Sequence, residues 1–419
     1  MGKRTAGLID SCDGVQRTAR PALNDEKLVI ILIYLAIETR PAKSLSEKLE
    51  AAGNEGFWLC AIGSSVTLAV AAGHFQFFRQ TLIVMKTFVV TLVLALTIVA
   101  SRADEPYHFV KEIPIAGAGG WDYLTVDASA QRLYVSHGTE VVVIDVSNDS
   151  VVGEITNTPG VHGIALYPAG NRGFVSDGRA NHVSIFDLKT LNTVSTVDTG
   201  ANPDAILFEP SQKEVYAFNG RSKSASVISA ESGAVVATIP LDGKPEFAQA
   251  DPVAGLVFDN LEDKNEVAVI DVKTHSVTNN WPIAPGESAS GMAIDTQNHR
   301  IFLGCENHMM EMLDTTTGKV LANVPIGEGV DANAFDPGTK FAFASCGDGT
   351  TTIAREDGDQ LTLVQTLKTE RSARTMALDT TTHKIYLPSA KFGPLVEGQR
   401  RPQMIPGTFK ILVFGTGQK

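Results

Sequence analysis

The amino-acid sequence predicts an all-β fold, a seven-bladed β-propeller of four-stranded antiparallel blades. Three observations support this prediction: a motif of about forty residues recurs seven times, each repeat holds four short strand patterns, and a lone strand pattern precedes the first repeat. Repeats of this length are typical of propellers and solenoids. Strands this short bury their faces when twisted blades stack around an axis.

The first two strand patterns of each repeat flank a turn. In "GMAIDTQNHRIFLG" the strands are "GMAID" and "RIFLG", and a turn-opening residue ends the first of them. The equivalent residues lie about forty positions apart, and they are Asp127, Tyr167, Glu209, Asp251, Asp295, Asp336 and Asp379. The regular spacing predicts seven equivalent blades.

The third and fourth strand patterns complete each blade. The third pattern is "VVVID", "VSIFD", "VAVID" or "MEMLD" in different repeats. A turn of the Thr-Gly or Asp-Gly type follows, and then a fourth pattern such as "VVATIP" or "VLANVP". Each repeat therefore supplies one antiparallel four-stranded sheet.

The last repeat is one strand short, because the chain ends at "FKILVFGTGQK". The segment "HFVKEIPI", from His108 to Ile115, has the same pattern as "VVATIPL" in the third repeat. We therefore expect this N-terminal strand to complete the last blade and join the two ends of the ring.

The stretch from Met85 to Ala103, "MKTFVVTLVLALTIVASRA", has the order of a signal peptide: a cation, an apolar run and small residues for cleavage. It predicts a periplasmic or secreted propeller domain over 104–419, and a start codon assigned too far upstream for residues 1–84. Alternatively, "FWLCAIGSSVTLAVAAGHF" and the apolar run 88–100 are two membrane spans, because each is close to the ~17 to 25 residues that a spanning helix needs. The protein would then be anchored in a membrane.

Charge and cysteine content narrow the function classes. The chain has 35 Lys and Arg residues and 47 Asp and Glu residues. Of these, 11 basic and 8 acidic residues precede Asp104, so the segment from Asp104 onward has 24 basic and 39 acidic residues and a net charge of about −15. This charge disfavours nonspecific nucleic-acid binding, which depends on neutralising phosphates. Cys305 and Cys346 occupy equivalent places in adjacent blades, about 10 Å apart. We expect free thiols, because a disulfide needs Cα atoms within ~7 Å.

A ring of polar residues is predicted where the first strands begin. The residue five positions before each turn-opening residue is polar or charged in every repeat; we call these residues the funnel ring, and they are Asp122, His162, Asp204, Glu246, Ser290, Asp331 and Arg374. They could simply cap strand ends and bind water. Alternatively, because four converging carboxylates repel one another, a proton, Arg374 or a shared cation such as calcium would neutralise them. No other cofactor is predicted.

A second ring is predicted at the ends of the second strands. Its members are His137, Asp177, Asn219, Asn260, Cys305, Cys346 and Ser389. Within it, His137 could face His162 of the adjacent blade, although a surface hydrogen-bonding role is the commoner one for such histidines.

The longest interruption of the repeat is the segment from Ala390 to Thr408, between the second and third strands of the last blade; we call it the last-blade loop. Long loops in compact folds are commonly functional or disordered. The loop is expected to bring basic residues together on the funnel face, and these are Arg371, Lys391, Arg400 and Arg401, beside Arg374. Such a cluster predicts a site for a carboxylate, a phosphate or an acidic partner.

The segment "FVSDGRANHVSIFDLKTLNTVSTVDTGANPDAILFEPSQKEVYAFNG" resembles the YVTN-type repeat of YncE-like proteins, and "GVDANAFDPG", "ARTMALD" and "MIPGTFKILVFG" resemble a bacterial subgroup of that family. The resemblance extends from about Tyr107 to Phe414. It implies a seven-bladed propeller that is exported to the periplasm or the cell surface.

Common catalytic signatures are absent from the sequence, which has no Gly-x-Ser-x-Gly elbow, no His-Glu-x-x-His and no phosphate-binding glycine loop. We therefore predict a module that binds a small anionic ligand, a protein or a cell-envelope partner through its funnel face. One alternative is a lactonase-type hydrolase, metal-dependent or with an acid–base pair, that would use Asp122, His162, Asp204, Glu246 and Asp331. A second alternative, which the YncE resemblance permits, is nucleic-acid binding.

Overall fold

The computed structural model describes residues 106–117, 119–395, 398 and 402–417. The predictions for residues 1–84 and for the signal peptide 85–103 lie outside these residues. In the part of the chain that is described, no helix has the length and apolar character needed to cross a membrane.

Within the described residues, twenty-eight strands form seven four-stranded antiparallel sheets, which confirms the predicted propeller. Blades 1 to 3 comprise β2 (Leu124–Asp127), β3 (Arg132–His137), β4 (Glu140–Asp145) and β5 (Ser150–Thr156); β6 (Val161–Tyr167), β7 (Arg172–Asp177), β8 (His182–Asp187) and β9 (Thr193–Asp198); and β10 (Pro203–Glu209), β11 (Glu214–Asn219), β12 (Ser224–Ser229) and β13 (Val235–Pro240). Blades 4 and 5 comprise β14 (Pro245–Asp251), β15 (Leu256–Leu261), β16 (Glu266–Asp271) and β17 (Ser276–Pro282); and β18 (Ala289–Asp295), β19 (Arg300–Cys305), β20 (Met309–Asp314) and β21 (Val320–Pro325). Blades 6 and 7 comprise β22 (Val330–Asp336), β23 (Phe341–Cys346), β24 (Thr350–Asp357) and β25 (Gln360–Lys368); and β26 (Ala377–Asp379), β27 (Lys384–Ser389), β28 (Lys410–Gly415) and β1 (His108–Pro114).

The first strands of the seven blades form a closed ring around the axis. Each first strand contacts the first strand of the next blade, and β26 of blade 7 contacts β2 of blade 1. The core is divided into seven hydrophobic clusters, each of which joins two adjacent blades. In one of them Tyr216 of blade 3 packs with Ile270 of blade 4, and the cluster across the chain ends joins Tyr386 to Ile144.

The N-terminal strand completes blade 7. β1 pairs antiparallel with β28, with His108 opposite Gly415 and Pro114 opposite Lys410, and it ends one residue earlier than the predicted segment. Ile113 is buried in the cluster that joins blades 7 and 1. Just before the strand, the Tyr107 amide donates a hydrogen bond of 3.0 Å to the Gln365 side chain of blade 6.

The turn-opening residues of the repeat have a clear structural role. The Asp127 carboxylate accepts hydrogen bonds from the amides of Ser129 and Ala130 at 3.1 and 3.0 Å. A side-chain oxygen that accepts hydrogen bonds from backbone amides two or three residues further along the chain stabilises a turn independently of the hydrogen bonds between strands. Blade 2 has Tyr167 at this position, and there a 3₁₀ turn (Pro168–Gly170) makes the connection instead.

Candidate functional site

Irregularities in the first strands position the funnel ring. In blade 2, Val161 lies opposite Asp177 but the next aligned pair is Ile164 and Val175, so His162 lies in a β-bulge. Register shifts occur at the same place in blades 3 to 6, at Asp204, Glu246, Ser290 and Asp331. A bulge redirects the side chain that it contains. The five equivalent bulges therefore explain why this ring position differs from the rest of each strand.

Polar side chains on the second strands hold the backbone of the ring. The Ser176 hydroxyl of blade 2 donates a hydrogen bond of 2.5 Å to the Asp204 carbonyl of blade 3. Ser345 of blade 6 donates in the same way to the Arg374 carbonyl of blade 7, also at 2.5 Å. These bonds fix the ring residue of one blade on the second strand of the blade before it.

Three of the predicted ring residues come together in one cluster. His162 Nδ1 lies 2.5 Å from Asp122 Oδ2 and 3.3 Å from Asp204 Oδ1. Burial alone would lower the pKa of His162, but the hydrogen bond that His162 donates to Asp122 and the nearby carboxylate charges raise it to about 9. Burial raises the pKa of Asp204, and the charge of His162 opposes that shift. The cluster therefore retains a proton at neutral pH.

The other two ring carboxylates have cationic partners of their own. Glu246 lies 2.7 Å from Lys244 Nζ, and Lys244 also contacts Glu262. Asp331 Oδ2 lies 3.2 Å from Arg374 Nη1, and its other oxygen accepts a hydrogen bond of 3.2 Å from Ser290. Burial raises the pKa of Asp331 to about 7, against the lowering effect of Arg374. The ring is thus three local groups rather than one convergent carboxylate site.

Sequence reasoning missed two residues of this site. Lys244 lies two positions before Glu246, and that spacing in "KPE" was an available signal. Tyr123 lies directly beneath the ring, where its hydroxyl donates a hydrogen bond of 3.1 Å to the Glu246 carbonyl of blade 4 and its ring meets Phe247 edge to face. Tyr123 also lines an axial channel of about 460 Å³ that the first strands surround. It thus bridges the axis where ring and channel meet.

The predicted second ring needs one correction. Pro245 of β14 lies opposite Leu261, just as Pro203 lies opposite Asn219 in blade 3, so the equivalent residue of blade 4 is Leu261 and not Asn260. The Asn260 side chain instead donates to the Ser290 carbonyl of blade 5 at 3.3 Å. This hydrogen bond holds the backbone of the ring residue in the next blade, as the serine hydroxyls do in blades 2 and 6.

The remaining second-ring residues of interest are buried. His137 stacks on Phe409 with ring centroids 4.3 Å apart, and burial lowers its pKa. The proposed approach to His162 is therefore replaced by packing against Phe409, which directly follows the last-blade loop. Cys305 and Cys346 are free thiols, as predicted; both are fully buried, and burial raises the pKa of each thiol to about 12.

The last-blade loop borders a cavity of about 1170 Å³, which we call the last-blade cavity. Of the basic residues predicted to cluster here, Arg371, Arg374 and Lys391 line it, whereas Arg400 and Arg401 lie outside the described residues. The acidic residue on the wall, Glu370, is already bound to Lys410 at 2.9 Å.

An aromatic wall faces the basic side of the cavity. Trp121 stacks on Phe409, with ring centroids 5.1 Å apart, and contacts Phe392 of the last-blade loop at 5.9 Å. The indole Nε1 of Trp121 is buried and has no hydrogen-bond partner among the described residues. The cavity therefore offers an apolar surface and positive charge together.

Comparison with known proteins agrees with the fold. No protein-family model matches the chain. Two curated relatives, the uncharacterized YncE proteins of Salmonella typhimurium and Salmonella typhi, are each 30% identical over 95 residues, which are 22% of this chain. The chain spans about a quarter (27%) of the length of these relatives.

Solved propellers superpose on much of the chain. Kuenenia stuttgartiensis hydrazine synthase matches with a TM-score of 0.58 at 17% identity, over 67% of this chain and 96% of that one. The RRP9 WD40 repeats match with a TM-score of 0.61 at 11% identity, over 73% and 97% of the two chains, and U3-55K with 0.61 at 12%, over 73% and 98%. Identities this low support the fold alone. The chain is a seven-bladed β-propeller, and 95 of its residues are similar to the YncE proteins.

Proposed function

We propose that this protein is an exported binding module whose last-blade cavity takes an organic anion with an aromatic or other apolar body. The observation that supports this proposal is the joint lining of one cavity by three cationic side chains and by Trp121 and Phe392. Binding sites of small ligands are typically concave and largely apolar, with a few placed polar groups. A guanidinium group binds a carboxylate or phosphate in a fixed geometry.

A binding role also agrees with the state of the funnel ring. Its carboxylates contact His162, Lys244 and Arg374, so they form ion pairs rather than a free acid–base pair. The hydrolase alternative makes a different prediction, which is lactone hydrolysis that Asp204→Ala abolishes. Nucleic-acid binding would instead weaken steeply as the salt concentration rises.

A thermal-shift screen tests the proposal. The purified protein would be heated with aromatic carboxylates, acyl phosphates, their neutral amide or alcohol analogues, sugar lactones and short single-stranded DNA. A ligand that binds the folded state raises the melting temperature. We expect shifts from the apolar anions but not from their neutral analogues.

Variants then locate the site. Arg371→Ala and Lys391→Ala should each weaken binding of the best anion by roughly tenfold or more, because a charge-assisted hydrogen bond contributes about 1.5–3 kcal/mol. Lys273→Ala, on an exposed turn of blade 4, is the control and should leave the affinity unchanged. Equal binding of anions and neutral analogues, or a loss of binding only in the control, would contradict the proposal.

A further inference from the structure

We propose that Asp122, His162 and Asp204 form a binding site for a divalent transition-metal ion such as Zn²⁺. This inference goes beyond ligand binding in the last-blade cavity and does not depend on it. The three side chains come from three successive blades. One ligand atom from each, an imidazole nitrogen and two carboxylate oxygens, lies within 4.8 Å of the other two.

The distances suit a small cation. Tetrahedral ligands about 2.1 Å from a zinc ion lie ~3.4 Å from one another. His162 Nδ1 and Asp204 Oδ1 are already 3.3 Å apart, whereas Asp122 Oδ2 is 2.5 Å from the same nitrogen. Binding thus needs a small outward movement of the Asp122 carboxylate. The side chains are 18–26% exposed, so an ion can reach them.

The hydrogen-bond pattern leaves one interaction unsatisfied. Two carboxylates converge on the same nitrogen, His162 Nδ1, which can carry only one hydrogen. At most one hydrogen therefore serves both contacts, and the contact with Asp204 at 3.3 Å is the weaker of the two. A divalent cation in place of this proton would satisfy all three ligand atoms at once.

The backbone supports of the cluster favour a fixed geometry. The Asp122 amide donates to Ser136 Oγ at 2.8 Å, and Ser176 holds both the Gly163 amide and the Asp204 carbonyl, at 2.8 and 2.5 Å. The backbone at the ligand positions is thus held in place before an ion binds, and the remaining adjustment falls to the side chains.

The ligand set selects the class of metal. An imidazole nitrogen suits zinc, copper, iron and nickel, whereas calcium takes six to eight oxygen ligands. The cluster offers a nitrogen and only two carboxylates, and Glu246 is paired with Lys244. We therefore expect Zn²⁺ to bind and Ca²⁺, which the sequence analysis named as an example of a shared cation, to bind far more weakly.

Calorimetric titration of the chelator-treated protein with Zn²⁺ and with Ca²⁺ tests this. We expect one Zn²⁺ ion to bind per chain, and Ca²⁺ to bind far more weakly. His162→Ala should abolish this binding. The isosteric Asp204→Asn should weaken it by roughly tenfold or more, since even loss of a hydrogen-bond partner of a ligand costs about 10–100-fold.

Two controls separate this site from nonspecific binding to the nine histidines of the chain. His182 forms another histidine–aspartate pair in blade 2, 3.0 Å from Asp177, and His182→Ala should leave the affinity unchanged. Glu246→Gln alters a ring carboxylate outside the cluster and should change it by less than roughly threefold. Absence of Zn²⁺ binding, binding that survives His162→Ala, or equal affinity for Ca²⁺ would each refute the proposal.

Discussion

Each carboxylate of the funnel ring lies beside a cationic side chain from its own blade or from an adjacent one. His162 is between Asp122 and Asp204, Lys244 contacts Glu246, and Arg374 contacts Asp331. Because the groups are partly buried, charges left unpaired here would be costly. The ring is therefore a set of ion pairs whose protonation is coupled to folding.

This coupling predicts a pH dependence for Asp331. Burial raises its pKa from 3.8 to about 7, so the folded state holds a proton that the unfolded state has lost. Stability from this group is present at low pH and declines as the pH rises from about 4 to about 7. In Asp331→Asn that decline should disappear.

Melting curves of the wild type and of Asp331→Asn at pH 5 and pH 8.5 measure the effect. From pH 5 to pH 8.5, the melting temperature of the wild type should fall relative to that of the variant. The relative fall should be about 2–4 °C for each kcal/mol of stability that Asp331 contributes at low pH and loses at high pH. Asp127→Asn, at a turn distant from the ring, is the comparison for a general loss of charge. If variant and wild type differ in melting temperature by the same amount at both pH values, Asp331 titrates in the folded protein as it does in the unfolded chain.

At the scale of the strand, features that recur from blade to blade could be predicted from the sequence, whereas contacts made in a single blade could not. The turn-opening residues and ring positions recur in each blade; the carboxylate turn bonds recur in every blade except the second, and the bulges recur in blades 2 to 6. Tyr123 and Lys244 act through contacts that depend on side-chain reach in one blade only. Asn260 was misplaced because a polar residue was expected at the strand end, where the register puts the apolar Leu261.

The closing strand gives a prediction with a matched control. Ile113 of β1 and Ile239 of β13 occupy the same place in "EIP" and "TIP", and they are 2% and 1% exposed. If β1 is as firmly held as an ordinary outer strand, both substitutions to Ala should lower the free energy of unfolding by about 2–5 kcal/mol. Urea unfolding at equilibrium measures both. A large loss for Ile239→Ala with almost none for Ile113→Ala would mean that β1 does not contribute to the closed ring.

At the scale of the whole molecule, ring closure distinguishes this protein from an open repeat array. In an open array the terminal repeats have one neighbour each and can open first. Here every blade has two neighbours, and the junction between blades 7 and 1 contains its own hydrophobic cluster. Opening the ring at any point therefore disrupts an interface between two neighbouring blades as well as the structure of a blade. We expect unfolding to be cooperative around the whole ring.

Two buried thiols can test this cooperativity. Cys346 lies in blade 6, next to the closing blade, and Cys305 lies in blade 5. Both are fully buried, and their raised pKa values keep the unreactive thiol form. A thiol reagent should therefore label them when the surrounding blades open.

Peptide mass spectrometry follows each cysteine separately over time. We expect equal labelling rates for Cys305 and Cys346 in the wild type, and an equal increase of both in Ile113→Ala, because weakening the closing strand lowers the stability of the entire ring. If the blades instead open one at a time from the weakened junction, Cys346 becomes reactive while Cys305 stays protected. That result would show that the blades of this propeller behave as independent repeats and that closure contributes little to their stability.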